Sequence, residues 1–80
     1  MGLAKSEAEI AERASRFLKA ELKRADMTYE ELAVQLKKHG LKDETVDSIK
    51  AKLKRGTFAA TFFLAVVAAL ELEGVRLEDI

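Results

Sequence analysis

The chain has no cysteine, no proline and no tryptophan, and only one histidine, one tyrosine and four glycines among 80 residues. Without cysteine there is no disulfide, thiol nucleophile or thiolate metal ligand, and the composition fits a reducing, cytoplasmic setting. Without proline and with little glycine, few residues interrupt a helix, while Ala, Leu, Lys and Glu are abundant. Long hydrophobic runs are missing too. The most apolar stretch, Phe58 to Leu70, has thirteen residues, short of the roughly 20 that span a bilayer. A buried helix, with no membrane partner, is the expectation. The start, Met1 to Glu9, is charged and lacks the apolar run of a secretory leader. Met1-Gly2-Leu3-Ala4-Lys5-Ser6 fits the myristoylation pattern, whose three free positions make it a chance match.

Catalytic equipment is equally scarce. His39 follows Lys37 and Lys38 and precedes Gly40, which suits the C-terminal end of a helix, and no second ligand of the right kind stands at helical spacing from it. Asp43, Glu44 and Asp47 gather where a helix should begin, and the helix dipole accounts for them. There is no glycine-rich phosphate loop. The expectation is a protein that is not an enzyme and uses no cofactor or metal.

What the chain does have is helical periodicity and bunched positive charge. It reads as one domain, residues 1–80, of all-α class with four or five helices. Ser6 and Glu9 form a capping box for a long first helix, with Ile10, Ala14, Phe17, Leu18, Leu22 and Ala25 at helical spacing to an end near Asp26. Thr28 and Glu31 open a second helix, with Leu32, Ala33 and Leu36 inward and Gly40 as its stop. Asp43 is the expected cap of a third helix that carries Val46, Ile49 and Leu53 on one face and ends at Gly56. Thr57 is expected to cap a fourth, running to about Leu72 and apolar almost all round. Val75-Arg76-Leu77 is a short strand or extended tail.

The net formal charge is zero, yet residues 37–56 hold seven basic and three acidic side chains. This positive segment coincides with the third helix, which a short glycine-containing turn joins to the second. Together these form the outline of a helix-turn-helix, whose second helix enters a DNA major groove. At 100° per residue the face opposite Val46, Ile49 and Leu53 holds Glu44, Ser48, Ala51 and Arg55, flanked by Thr45, Asp47, Lys52 and Lys54. Thr45 and Ser48 suit base edges, and Lys52 and Arg55 suit guanine acceptors or phosphates. Lys42 lies just ahead of the helix. Thr28, with Tyr29 beside it, and Thr57 mark helix starts whose amides favour phosphate.

The stretches "MTYEELAVQL", "GLKDETVDSI" and "VVAALEL", within Met27 to Leu72, resemble the Cro/phage-repressor-type helix-turn-helix domains. Leu32-Ala33, Gly40-Leu41, Val46 and Ile49 match that family's inward alanine, turn glycine and core aliphatics. "FLKAELKRADMTYEELA" (Phe17 to Ala33), "KLKRGTF" (Lys52 to Phe58) and "FFL" (Phe62 to Leu64) are similar to a family of short bacterial helix-turn-helix-like proteins without an established activity. The first resemblance implies a transcription regulator that reads duplex DNA with its third helix. Two departures stand out: Gly40 follows Ala33 by seven positions, where the repressor pattern has four, and Ile49 to Gly56 is about one helical turn too long. The alternative is a protein-interaction module that docks onto a regulator or polymerase of the transcription machinery. The first helix is also longer than a repressor domain needs. With the fourth it supplies a surplus of apolar side chains, so a homodimer is expected through Ile10, Phe17, Phe62, Phe63, Val66 and Val67.

Overall fold

The computed structural model describes residues 6–80, so Leu3 and the Met1–Lys5 part of the myristoylation-like match lie outside the described residues. Four α-helices follow one another: α1 (Glu7–Arg24), α2 (Tyr29–Lys38), α3 (Val46–Arg55) and α4 (Ala60–Ala69). The fold is all-α. Among the described residues there is no strand; Arg76 is extended and Leu77–Asp79 forms a single 3-10 turn.

α1 starts where Ser6 accepts a hydrogen bond from the Glu9 amide at 3.2 Å. Glu7 and Glu9 in its first turn and Lys23 and Arg24 in its last complement the helix dipole. Glu9–Arg13, Glu12–Arg16 and Glu21–Arg24 pair along its solvent side. α2 opens on the full capping box of Thr28 and Glu31. α1, α2 and α4 close alike, on a left-handed residue just past the helix: Asp26 (φ 56°), Gly40 (φ 94°) and Glu71 (φ 58°). The next amide then reaches back to the helix, Met27 to Leu22, Leu41 to Leu36 and Leu72 to Val67, at 2.9–3.1 Å. Met27 and Leu41 pack onto the core as they do so.

Three helix starts differ from the sequence expectation. At α1 the expected capping box is half formed: Ser6 accepts from the Glu9 amide, but the Glu9 carboxylate meets Arg13 and does not reach back. α3 is capped by Thr45, not Asp43, because Thr45 and Ser48 satisfy each other's amides reciprocally. The link from α2 to α3 is therefore the seven-residue segment 39–45, longer than the short turn expected. α4 is preceded by Ala59, which offers no side-chain cap, and Thr57 lies in the exposed connection. Ala59 is extended, and Phe58 before it packs its ring against Phe62 and Phe63. α4 also ends at Ala69, ahead of the expected Leu72.

The core draws on all four helices: Leu18 and Leu22, Leu32, Ala33 and Leu36, Ile49 and Leu53, then Phe62, Ala65, Val66 and Ala69. Burial of a large apolar side chain contributes about 1.5–3 kcal/mol, and seven of these residues are almost wholly enclosed. α1 meets α3 through small groups. Buried Ser15 donates its hydroxyl hydrogen bond to the Leu53 carbonyl in the last turn of α3, where the helix itself provides no partner. Ala11 lies against Gly56.

Candidate nucleic-acid interface

α3 is held against the core by Ile49 and Leu53, with Val46 half-buried beside them. Lys50 stands at its middle, and its last turn carries Lys52, Lys54 and Arg55. The helix dipole alone favours such cations near a C-terminus, but among the described residues most of the cations from α2 to the end of α3 lack a carboxylate partner, whereas most of those elsewhere have one. Among the described residues, Arg13, Arg16, Arg24 and Arg76 each meet a carboxylate, as does Lys52. Lys37, Lys38, Lys42, Lys50, Lys54 and Arg55 form no ion pair, and all six are exposed. Most of the free positive charge among the described residues thus lies at the end of α2, in the 39–45 link and along α3. Lys19 and Lys23 of α1 are the other unpaired lysines among the described residues.

Several residues expected at this surface are occupied within the chain. The Ser48 hydroxyl accepts from the Thr45 amide at 2.8 Å and lies 2.7 Å from Glu44 Oε1. Thr45 Oγ1 accepts from the Ser48 amide at 3.1 Å. Lys52 Nζ is 2.5 Å from Glu44 Oε2 and 5.3 Å from the centre of the Phe62 ring. Its ammonium is thereby neutralised and turned toward α4. Burial pushes the Glu44 carboxyl up, but hydrogen bonds from Lys52 and Ser48, with the Lys52 charge, outweigh it and hold the group below its ordinary value. Ser48 and Lys52 therefore fasten the link onto α3; they do not face outward as free donors.

The other expected contacts are scattered around this centre. Thr28 Oγ1 caps α2 and also lies 3.1 Å from Glu31 Oε1. Tyr29 is half-buried against the core. Lys42 and Thr57 are exposed on the links before and after α3. Arg55 is exposed, its Nε donating to the Thr57 carbonyl at 3.2 Å.

The outward face of α3 consists of exposed Asp47, Lys50, Ala51 and Lys54, with Arg55 at its edge. Lys50, Lys54, Lys37 and Lys38 were absent from the expected contact set. The signal for Lys54 is the i, i+4 spacing of Ile49 and Leu53, which places it near the far side of the helix. Lys50 and Lys52 flank the buried stripe about equally, and only the packing of Phe62 decides which is covered. Behind this face, an open groove of about 820 Å³ runs between α1 and the end of α3, with Glu9 and Glu12 on one wall and Lys54 and Arg55 on the other. Among the described residues, no group of three or more His, Asp or Glu is placed to hold a metal ion.

The expected dimer residues divide. Phe62 and Val66 are 2% and 1% exposed and belong to the chain's own core, so they are not free for a partner. Phe17 and Phe63 are half-buried and stack on each other with ring centres 6.4 Å apart. Ile10 and Val67 are also half-buried. Leu64, absent from the expected set, is 64% exposed. On α4 the buried residues Phe62, Ala65, Val66 and Ala69 occupy one side. Ala60, Phe63, Leu64, Val67 and Ala68 form a continuous uncharged strip on the other.

Residues 1–75 match the family model described as Domain of unknown function (DUF6471). No curated protein and no solved structure matches the chain.

Proposed function

The chain belongs to the family described as Domain of unknown function (DUF6471), and we propose that it is a DNA-binding regulator that grips duplex DNA along α3. The observation behind this is the separation of free from paired cations. Lys37, Lys38, Lys42, Lys50, Lys54 and Arg55 stand exposed without carboxylate partners, whereas four of the six described cations elsewhere are neutralised by neighbours. A polyanion gains most from charges that need not first be stripped of a partner. The exposed start of α4, which has no side-chain cap, adds backbone amides suited to a phosphate oxygen.

Fluorescence anisotropy with a labelled duplex across a salt series tests this. Neutralising about five phosphates gives a slope of log affinity against log salt of about −4 to −5. Lys50→Ala, Lys54→Ala and Arg55→Ala each reduce its magnitude by about one, while Lys52→Ala, which removes an already neutralised charge, changes it little. Absence of binding at low salt, with random and genomic duplexes alike, refutes the reading.

The uncharged outer strip of α4, with Phe17 stacked at its edge, is proposed as the meeting surface of two copies. A two-fold pair presents two α3 helices to one duplex. The same strip, with Leu64 prominent on it, also supports a second reading, in which it docks onto a protein of the transcription machinery. Chains that stay monomeric and bind no duplex favour that alternative.

A further inference from the structure

Asp47 is the one carboxylate on the outward face of α3 just described. It is exposed, stands in the first turn of α3 and has Lys50, Ala51 and Lys54 beside it on the outward face. Among the described residues it enters no ion pair, although Lys50 is only three positions along the helix. The neighbouring polar groups are already used: Thr45 and Ser48 cap each other, and Glu44 holds Lys52 and Ser48. Asp47 is thus the uncommitted acceptor on a face whose other polar groups are donors.

A carboxylate is a poor group to bring to phosphates but a selective one to bring to bases. In the major groove, guanine offers two acceptors and thymine an acceptor and a methyl group, all unfavourable to a carboxylate. Cytosine offers its N4 amino group as a donor; adenine has an N6 amino group too, but beside it stands the N7 acceptor, which opposes a carboxylate and suits an amide instead. The guanine opposite that cytosine presents O6 and N7 in the same groove, where Lys50 or Lys54 is the matching donor. The first turn of a groove-entering helix is also the part that meets base edges.

Resting on the DNA reading above, we propose that Asp47 is the specificity-determining residue of α3 and selects a cytosine in a C·G pair flanked by the contacts of Lys50 and Lys54. Asp47 thereby costs some affinity for arbitrary duplexes and supplies discrimination at one position. The neighbouring lysines offset that cost for every sequence.

The test is selection of bound duplexes from a randomised library by the wild-type chain, Asp47→Asn and Asp47→Ala at one salt concentration, with circular dichroism confirming that all three are folded. The wild type is expected to enrich cytosine at one position, where replacing C·G by G·C weakens binding between about fivefold and a hundredfold. Asp47→Asn shifts that position toward adenine, whose N6 and N7 suit an amide. Asp47→Ala removes the preference there and binds random duplex at least as tightly as the wild type. A purely structural role for Asp47 in the first turn leaves base preference unmoved. If the variants select the same bases as the wild type, or the wild type binds without base preference, this inference is overturned and the DNA reading stands. If the wild type binds no duplex at all, both fall.

Discussion

At Gly56 the chain must be left-handed (φ 78°) and must also lie against α1, where an added Cβ would stand 2.8 Å from the Ala11 carbonyl oxygen. Gly40 shares the left-handed backbone (φ 94°), but a Cβ there would meet no atom within 4 Å. The two glycines therefore separate backbone strain from packing. Gly40→Ala should cost about 1–2 kcal/mol, the ordinary penalty of the left-handed region. Gly56→Ala carries the same strain plus displacement of helix backbone, so a loss of about 2–4 kcal/mol is expected. Urea denaturation of both variants checks this, and equal losses refute the packing contribution. Both glycines were legible as helix stops. The contact with Ala11 was not, because it joins residues 45 positions apart on different helices.

Glu44 gives a second prediction at the same scale. Its side chain is only 12% exposed, and Lys52 and Ser48 together hold its carboxyl below the ordinary value despite burial. On unfolding, the carboxyl returns to that higher value and takes up a proton more readily. The contribution of the cluster is therefore complete above the unfolded value and lost as pH falls through the folded one. Chemical denaturation from about pH 6 down to about pH 3 should show the wild type converging on Glu44→Gln as the pH drops. A gap that stays constant over this range refutes the linkage.

At the scale of the element, helix ends are governed by short-range rules, and most were legible for that reason. Ser6, Thr28 and Gly40 act where their chemistry places them. The misplaced starts of α3 and α4 show what short-range rules omit. Asp43 and Thr45 are both good caps, but Ser48 can answer only Thr45, and Glu44 is drawn to Lys52 eight residues along. Thr57 had the right side chain but lies in the connection, where the next residue, Phe58, packs against Phe62 and Phe63. The result is a helix that begins at an exposed alanine. Ala59→Ser should supply the absent acceptor and stabilise the fold by about 0.5–2 kcal/mol. It should move the denaturation midpoint upward without changing the slope. An unchanged midpoint means that the first amides of α4 already have equivalent partners.

For the whole molecule, the four helices and their shared core were legible because apolar spacing repeats within each helix. Which side of α4 turns inward was not, because that helix is apolar on both sides and only its neighbours distinguish them. Phe62 and Val66 entered the core, and Phe63, Leu64 and Val67 were left on the outer strip. The strip has no charge along its length, so two copies can meet across it without opposing like charges. Full burial of Leu64 alone is worth about 1.5–3 kcal/mol, and Phe63 and Val67 add what remains of their exposed area. α1 contributes Phe17 at the edge of this strip, where it already stacks on Phe63. Light scattering behind a sizing column, at tens of micromolar protein in moderate salt and without DNA, should therefore give about twice the 8.9 kDa chain mass. Leu64→Lys puts a positive charge beside its own copy at a two-fold contact, and should return the mass to that of one chain while circular dichroism stays helical. A single-chain mass for the wild type removes the dimer. The expected DNA site is then a lone half-site read by one α3, with no two-fold partner to fix a spacing.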